Sequence, residues 1–221
     1  MDRRLIWLSG LLSPVFIWSA IAPHDVFTWF LEVVPVLIGL PLALALHRRF
    51  PCSTLLLMLL GLHGVILMVG GHYTYARVPL GDWAMEWFGW TRNNYDKLGH
   101  FAQGLVPAIL MREVLLRTSP LGPAAAFAKA GADKQGRGSV KPSRWLGFLV
   151  VGVCLAFSAL YELIEWLTAV MSGAAADDFL GTQGYAWDTQ TDMAMALVGA
   201  VIALMVLAKA HDRSLEKLMG R

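Results

Sequence analysis

Three short pairs of side chains could do chemistry, because each joins a carboxylate to an imidazole or to a second carboxylate. The two residues of a pair are three or four positions apart, a spacing that places both on one face of a helix. The pairs are Asp96 with His100, Glu162 with Glu165, and Asp188 with Asp192. Oxygen ligands together with one imidazole suit Zn, Mg, Mn or Fe. These residue types therefore predict a divalent metal site if the pairs converge.

Further roles follow if an ion is bound there. We expect five side chains to act as metal ligands, with Glu165 as general base and His72 as a proton carrier. The ion would activate water or polarise a phosphoryl or acyl oxygen. The predicted ligands are Asp96, His100, Glu162, Asp188 and Asp192.

Composition indicates which elements must position these residues. Hydrophobic residues make up 57% of the 221 residues, charged residues 15%, and the mean hydropathy is +0.55, values typical of a membrane protein. The apolar runs are continuous rather than alternating, so the spans must be helices and not barrel strands. We predict an all-α, polytopic protein with one membrane domain, residues 1–221. Its six transmembrane helices are expected near 5–22, 26–46, 53–71, 97–117, 145–170 and 189–209.

The distribution of basic residues predicts the orientation of these spans. Of the 18 Lys and Arg residues, only Arg77, Arg92 and Lys97 lie between the third span and the start of the fourth. The others fall near the termini, between the second and third spans, or in and beside a linker at about 119–143. Both termini and the linker are therefore predicted to be cytoplasmic. Each of the three pairs then lies near the outer face.

The segment at 72–95 differs from the rest of the chain. Trp83, Trp87 and Trp90 recur at helical spacing, with Asp82 and Glu86 between them. A short helix here would present an aromatic face to the lipid headgroups. We predict a short interfacial helix on the outer side. The same geometry would also allow a lid over the polar site.

The cost of burying charge separates the interpretations of the three pairs. A lone carboxylate at the bilayer centre costs about 2.5 to 3.5 kcal/mol on insertion scales, and such groups usually face a cavity and serve a function. Several carboxylates at one depth repel one another unless a cation or shared protons neutralise them. Three interpretations stay open: a metal site, a pathway for protons or cations, and a structural network of ion pairs and helix caps.

Three motifs in the chain resemble those of a known family. The motifs are YDKLGHF at 95–101, YELIEW at 161–166 and GTQGYAWDTQTDM at 181–193. They resemble the YjdF-type inner-membrane proteins of bacteria, and the resemblance extends over nearly the whole chain. It implies a multi-pass membrane fold and an inner-membrane location more than it implies any reaction.

A fainter similarity connects the chain to VanZ-like membrane proteins. Those proteins carry Asp-Lys-x-x-His-Phe at the start of a helix, a Glu on the next helix and an Asp seven residues before a Gly. The matching residues here are Asp96, Lys97, His100 and Phe101, then Glu162, then Asp192 and Gly199. Ala196 stands where the VanZ pattern has Asn. The similarity implies a substrate presented at the outer face of the cell envelope.

Three classes of function stay open. The leading hypothesis is a metal-dependent membrane hydrolase or transferase that acts at the outer face on a lipid-linked or cell-envelope substrate. The second is a small ion-coupled transporter that uses the same carboxylates, although the inner halves of the helices offer few polar pairs besides Arg112 with Glu113 and no inverted repeat is evident. The third is a non-catalytic envelope protein. The lipid bilayer is the expected partner, and we expect no nucleic acid.

Overall fold

The computed structural model describes residues 2–122, 143–172 and 187–220, and every regular element in these ranges is helical. The all-α prediction is therefore confirmed. In chain order the elements are α1 (Arg3–Ala20), α2 (Val26–Leu46), α3 (Thr54–Tyr73), a 3₁₀ turn (Tyr75–Arg77), α4 (Pro79–Phe88), α5 (Tyr95–Thr118), α6 (Arg144–Ser172) and α7 (Asp188–Leu218).

Each predicted span lies on one of the long helices. Four helical stretches are long and apolar enough to cross a membrane: Val26–Leu46, Thr54–Tyr73, Trp145–Met171 and Asp188–Leu218. The last helix continues to Leu218, well beyond the predicted end at 209, because its final turns are amphipathic and pack on α3. Most of the predicted linker lies outside the described residues.

Local sequence signals explain where several helices begin and end. The side chains of Asp2, Asp25 and Ser53 accept hydrogen bonds from the first backbone N–H groups of α1, α2 and α3. The bond from the Thr28 N–H lowers the pKa of the Asp25 carboxyl. Gly89, with a left-handed φ of 66°, ends α4. Residues next to the helix ends therefore determine where these helices begin and end.

The closest packing in the bundle joins α5 to α7. A Cβ added at Gly104 would lie 1.8 Å from the Ala196 carbonyl oxygen, and one added at Gly199 would lie 2.2 Å from the Phe101 carbonyl oxygen. Glycine at these positions lets the two backbones approach closely, as small residues do in membrane bundles. This contact determines the register of α5 against α7 and the position of every polar side chain between them.

A π-helical turn at Ala203–Leu207 changes the phase of α7. Up to its first residue, Ala196, Gly199 and Ala203 are buried at steps of three or four residues, as one helix face requires. The next buried residue is His211, eight positions further on. A π turn adds one residue to the helical repeat, so these eight positions correspond to about two regular turns. His211 therefore remains on the face that packs on α5.

The described residues contain three groups of buried apolar side chains, of which the smallest is Tyr75, Val78 and Tyr95. The other two lie between the long helices. One lies between α3, α5, α6 and α7 and the other between α1, α2 and α3. A cavity described below is lined by helices from both groups. The buried residues of the first group are Leu56, Ala108, Ile109, Leu116, Leu146, Val150, Cys154, Ala200, Ala203 and Leu215, and those of the second are Leu12, Val33 and Met68.

Candidate functional site

The first turns of α5 and α7 bring three buried aspartates together around Lys97. Lys97 Nζ lies 2.6 Å from Asp188 Oδ1, 2.7 Å from Asp192 Oδ1 and 3.3 Å from Asp96 Oδ2. Arg92 adds a contact of 3.1 Å to Asp96 Oδ2 and one of 3.2 Å to Asp188 Oδ1. Two cationic side chains therefore offset part of the repulsion between these carboxylates.

His100 and Glu162 lie beside this group and leave two polar atoms without a partner. His100 Nε2 is 3.7 Å from Asp192 Oδ1, and His100 Nδ1 is 3.7 Å from Glu162 Oε1, both longer than a hydrogen bond. Among the described residues, His100 Nδ1 and Glu162 Oε1 have no hydrogen-bond partner, although His100 is only 9% exposed and Glu162 only 6%. Such orphaned buried atoms are rare in folded proteins, and these two face each other. We call these seven residues, Arg92, Asp96, Lys97, His100, Glu162, Asp188 and Asp192, the outer cluster.

Two groups of side chains within the outer cluster have the spacing of metal ligands. Single ligand atoms of His100, Glu162 and Asp192 all lie within 4.8 Å of one another, and so do those of Asp96, Asp188 and Asp192. The second group already surrounds the Lys97 ammonium. The first group contains His100 and Glu162, each of which has a buried polar atom without a partner among the described residues, so the first group fits a divalent cation better.

A cavity of about 420 Å³ begins at the outer cluster. Its volume is within the range of about 300 to 1,000 Å³ that ligand sites show. Carboxylates line one end of it, and the side chains of Leu110, Met111 and Phe157 line the other end. The acidic lining residues are Glu32, Asp96, Glu165, Asp188 and Asp192. The cavity is therefore amphipathic along its length.

Glu32 and Tyr161 form part of the cavity wall and were not assigned a role from the sequence. Tyr161 Oη donates a hydrogen bond of 3.2 Å to Glu32 Oε2, which joins α2 to α6. Tyr75, from the 3₁₀ turn, lines the same wall and packs against Gly99. A carboxylate inside an apolar span is the signal that singles out Glu32. The sequence around Tyr75 carries no comparable signal.

The seven predicted site residues do not all share one location. The five predicted ligands lie together in the outer cluster, and Glu165 lines the cavity half-buried. His72 lies elsewhere: its Nδ1 is 3.1 Å from the Ser19 carbonyl oxygen, its ring centre is 4.3 Å from that of Trp18, and it is not a lining residue of the cavity. Residues 181–186 of the third motif lie outside the described ranges.

A second buried polar group lies at the opposite end of α5. Glu113, fully buried, accepts hydrogen bonds from the Ser53 N–H at 2.9 Å and from Arg117 at 2.9 Å, and its Oε2 lies 3.0 Å from His211 Nε2. Arg112 contacts His211 Nδ1 at 2.8 Å. Because a guanidinium can only donate, Nδ1 accepts and the His211 proton is on Nε2, pointing at Glu113. We call these five residues the inner network.

The chain is similar over most of its length to a family of predicted membrane proteins. A family model described as "Predicted membrane protein (DUF2238)" matches residues 4–213. The protein named "Inner membrane protein YjdF" of Escherichia coli (strain K12) is 49% identical over 206 residues, which are 93% of this chain and 90% of that protein. No solved structure matches. The YjdF-type resemblance of the motifs is thereby confirmed, and the similarity to VanZ-like proteins stays a prediction.

Proposed function

This chain belongs to the DUF2238 family of predicted membrane proteins, and on that premise we propose that it is a metal-dependent enzyme of the bacterial inner membrane. Its substrate is a lipid-linked or cell-envelope molecule that reaches the outer cluster from the outer face. The reaction is a hydrolysis or a group transfer. The cavity beside the outer cluster receives the apolar part of the substrate.

Six helices cross the bilayer in this proposal, and both termini are cytoplasmic. Four have the length and apolar composition that a span needs, and α1 and α5 are the other two. α5 has 24 residues and a length of about 36 Å, more than the roughly 30 Å of a hydrocarbon core. Its charged side chains pair inside the bundle. α4 lies at the outer interface, which the exposure of Trp83, Trp87 and Phe88 supports.

One observation carries the proposed metal site: the orphaned His100 Nδ1 and Glu162 Oε1 face each other, buried, beside Asp192. One imidazole and two carboxylates suit Zn, Mg, Mn or Fe. The ion would polarise a phosphoryl or acyl oxygen or activate water. Asp96 and Asp188 each pair with both Lys97 and Arg92, whereas Asp192 pairs with Lys97 alone, through Oδ1. We therefore assign Asp96 and Asp188 to positioning the outer cluster, with ligation left to His100, Glu162 and Asp192.

Glu165 is the residue to which we assign proton transfer. It lies on α6 three residues beyond Glu162 and lines the cavity next to the outer cluster. A half-buried carboxylate there can accept a proton from water or from a substrate hydroxyl. His72 has no part in the proposal, since it contacts α1 and not the cavity.

The inner network favours an enzyme over an ion-coupled carrier. A carrier needs a polar route to the cytoplasmic side, but the lining of the cavity ends at Leu110 and Met111. Beyond them, Arg112 and Glu113 are held by His211 and further partners. Within the described residues, no polar route therefore connects the outer cluster to the cytoplasmic side.

Metal content and lipid turnover test the proposal. Protein purified without chelator is expected to hold about one divalent ion per chain by inductively coupled plasma mass spectrometry, and His100→Ala, Glu162→Gln and Asp192→Asn to lose it. The matched controls His24→Ala and Glu86→Gln alter exposed residues and are expected to keep it. Metal content that is equal in all six proteins contradicts the proposed site.

Turnover is measured in proteoliposomes made with a bacterial envelope lipid extract, analysed by mass spectrometry. A change in a lipid species is expected that chelator abolishes and that Glu165→Gln greatly reduces while the metal content stays unchanged. If no species changes with metal-loaded protein, the enzyme assignment is wrong even where the metal site is right.

A further inference from the structure

We infer that the cavity takes up one acyl chain of an outer-leaflet diacyl phospholipid through a lateral gap between α2 and α6. The second chain stays in the bilayer, and the headgroup reaches the outer cluster. This inference rests on the proposed function for the orientation of the bundle, and it deepens that function by naming the substrate class.

The gap follows from how the helices pack. α2 packs against α3 and α1, whereas α6 packs against α5 and α7. In the described part of the chain, α2 and α6 hardly pack on each other and are joined by the hydrogen bond of 3.2 Å from Tyr161 Oη to Glu32 Oε2. Two helices that line one cavity without mutual packing leave a passage between them.

Side chains around this hydrogen bond show that the passage opens toward lipid. Phe157, Leu160 and Ile164 of α6 line the cavity and are also 57%, 50% and 46% exposed on the surface of the bundle. Pro35 of α2 lines the cavity and is exposed as well. All four are apolar. An apolar rim within a span admits hydrocarbon and disfavours ions and polar solutes.

The dimensions of the cavity match one hydrocarbon chain. Along α5 the cavity runs from Asp96 to Met111, fifteen residues, which is about 22 Å at 1.5 Å per residue. One leaflet contributes roughly 15 Å of hydrocarbon, half of a core of about 30 Å. Because the outer cluster itself covers the first turn down to His100, a headgroup held there leaves ten residues of α5, about 15 Å, to Leu110, which one chain spans. The volume of about 420 Å³ is near the lower limit for ligand sites and leaves little room for a second chain.

The apolar end of the cavity and the end at the outer cluster contribute differently to lipid binding. Moving a chain from the bilayer to an apolar cavity exchanges one apolar environment for another, so the hydrophobic effect contributes little to binding. The apolar end of the cavity and its rim then select which acyl chains fit, by their shape. The contacts of the headgroup with the outer cluster determine how long the lipid stays bound. This predicts that narrowing the rim prevents uptake without altering the outer cluster.

Photo-crosslinking tests the inference. The full-length protein is reconstituted in vesicles of phosphatidylethanolamine and phosphatidylglycerol, with a fraction of phosphatidylethanolamine that carries a diazirine at the end of one acyl chain. After irradiation, adducts are mapped by mass spectrometry. We expect adducts at Leu110 and Met111, which are half-buried and line the cavity, as well as at Met205, which is 79% exposed and faces lipid. Adducts confined to surface residues such as Met205 would overturn the inference.

A matched pair of variants tests the route. Leu160→Trp narrows the gap and is expected to reduce adducts at Leu110 and Met111 several-fold, with the Met205 adduct unchanged. Leu163→Trp places the same bulk one turn away, at a residue 59% exposed that does not line the cavity, and is expected to behave like the natural chain. The Met205 adduct and monodisperse elution show that each variant is folded. Undiminished adducts in Leu160→Trp would mean that the chain does not pass between α2 and α6.

Metal content measured on the same samples separates this inference from the proposed function. Deep adducts without bound metal support the lipid site and contradict the metal site. Bound metal without deep adducts does the opposite.

Discussion

The outer cluster and the inner network occupy opposite ends of α5 and use the same residue types: carboxylates, a histidine and basic side chains. In the inner network, both Glu113 oxygens and both His211 ring nitrogens have partners. In the outer cluster, His100 Nδ1 and Glu162 Oε1 have none among the described residues, and His100 lines a cavity. A complete set of hydrogen bonds ties helices together, whereas an incomplete set next to a cavity leaves atoms for a ligand.

This difference decides which polar residues we assign to structure and which to chemistry. Burial alone would not, because Glu113 is more deeply buried than Glu162. The outer cluster and the inner network differ in whether each buried polar atom has a hydrogen-bond partner. Four substitutions test the comparison, beginning with the one of largest expected effect.

Glu113→Ala is expected to lower the free energy of unfolding by about 3 to 5 kcal/mol, because it removes the central partner of a buried ionic network and leaves Arg117 and His211 uncompensated. Thermal or SDS-induced unfolding of the purified protein in detergent measures it. Glu113→Gln keeps one acceptor oxygen and should lose less. An alanine variant as stable as the natural chain would show that the inner network does not stabilise the bundle.

Lys97→Met is expected to lower the free energy of unfolding by about 2 to 3 kcal/mol, which is what hydrogen bonds to charged groups contribute. The loss is no larger because Arg92 still pairs with two of the three aspartates. The exposed Lys209 supplies the control: Lys209→Met should change stability by no more than about 0.5 kcal/mol. Unfolding is followed as for Glu113. If Lys97→Met is equally harmless, a cation other than Lys97 neutralises the aspartates.

Gly104→Ala tests the helix contact that both polar groups share. A Cβ at Gly104 would collide with the Ala196 carbonyl oxygen, and overpacking of this kind costs about 1 to 3 kcal/mol. Gly152→Ala, on α6, has nothing within 4 Å of the new methyl group and should gain up to about 1 kcal/mol from helix propensity. Equal unfolding temperatures for the two variants would contradict the account of α5–α7 packing.

Glu162→Gln is expected to change the free energy of unfolding least of the four substitutions. With chelator present, its free energy of unfolding should stay within about 0.5 kcal/mol of the natural chain, because Glu162 Oε1 has no hydrogen bond to lose. Chemical unfolding in detergent measures the difference. A loss comparable to that of Glu113→Ala would remove the distinction between the outer cluster and the inner network.

Much of the fold could be predicted from local sequence. Apolar run length locates the long helices, and capping residues such as Asp25 and Ser53 set where helices begin. α7 continues to Leu218, beyond the predicted span at 189–209, because hydropathy falls where the helix leaves the apolar core while helical hydrogen bonding continues.

The candidate site was predictable in part. Helical spacing placed each pair on one face, and antiparallel order placed the three pairs at one level. The location of His72 was not predictable, because a residue at the end of α3 can turn toward α1 or toward the cavity and only packing against Trp18 and Ser19 decides it.

Residue type and spacing by themselves determined the helical architecture, the membrane character and the convergence of carboxylates at one end of the bundle, because all three depend on short-range periodicity and composition. Only the tertiary structure decided which charges are paired. Lys97 reaches Asp188 across 91 positions, and the π turn of α7 carries His211 to Glu113 across 98. Pairing over such separations depends on how the helices pack, and the small residues between α5 and α7 settle that packing.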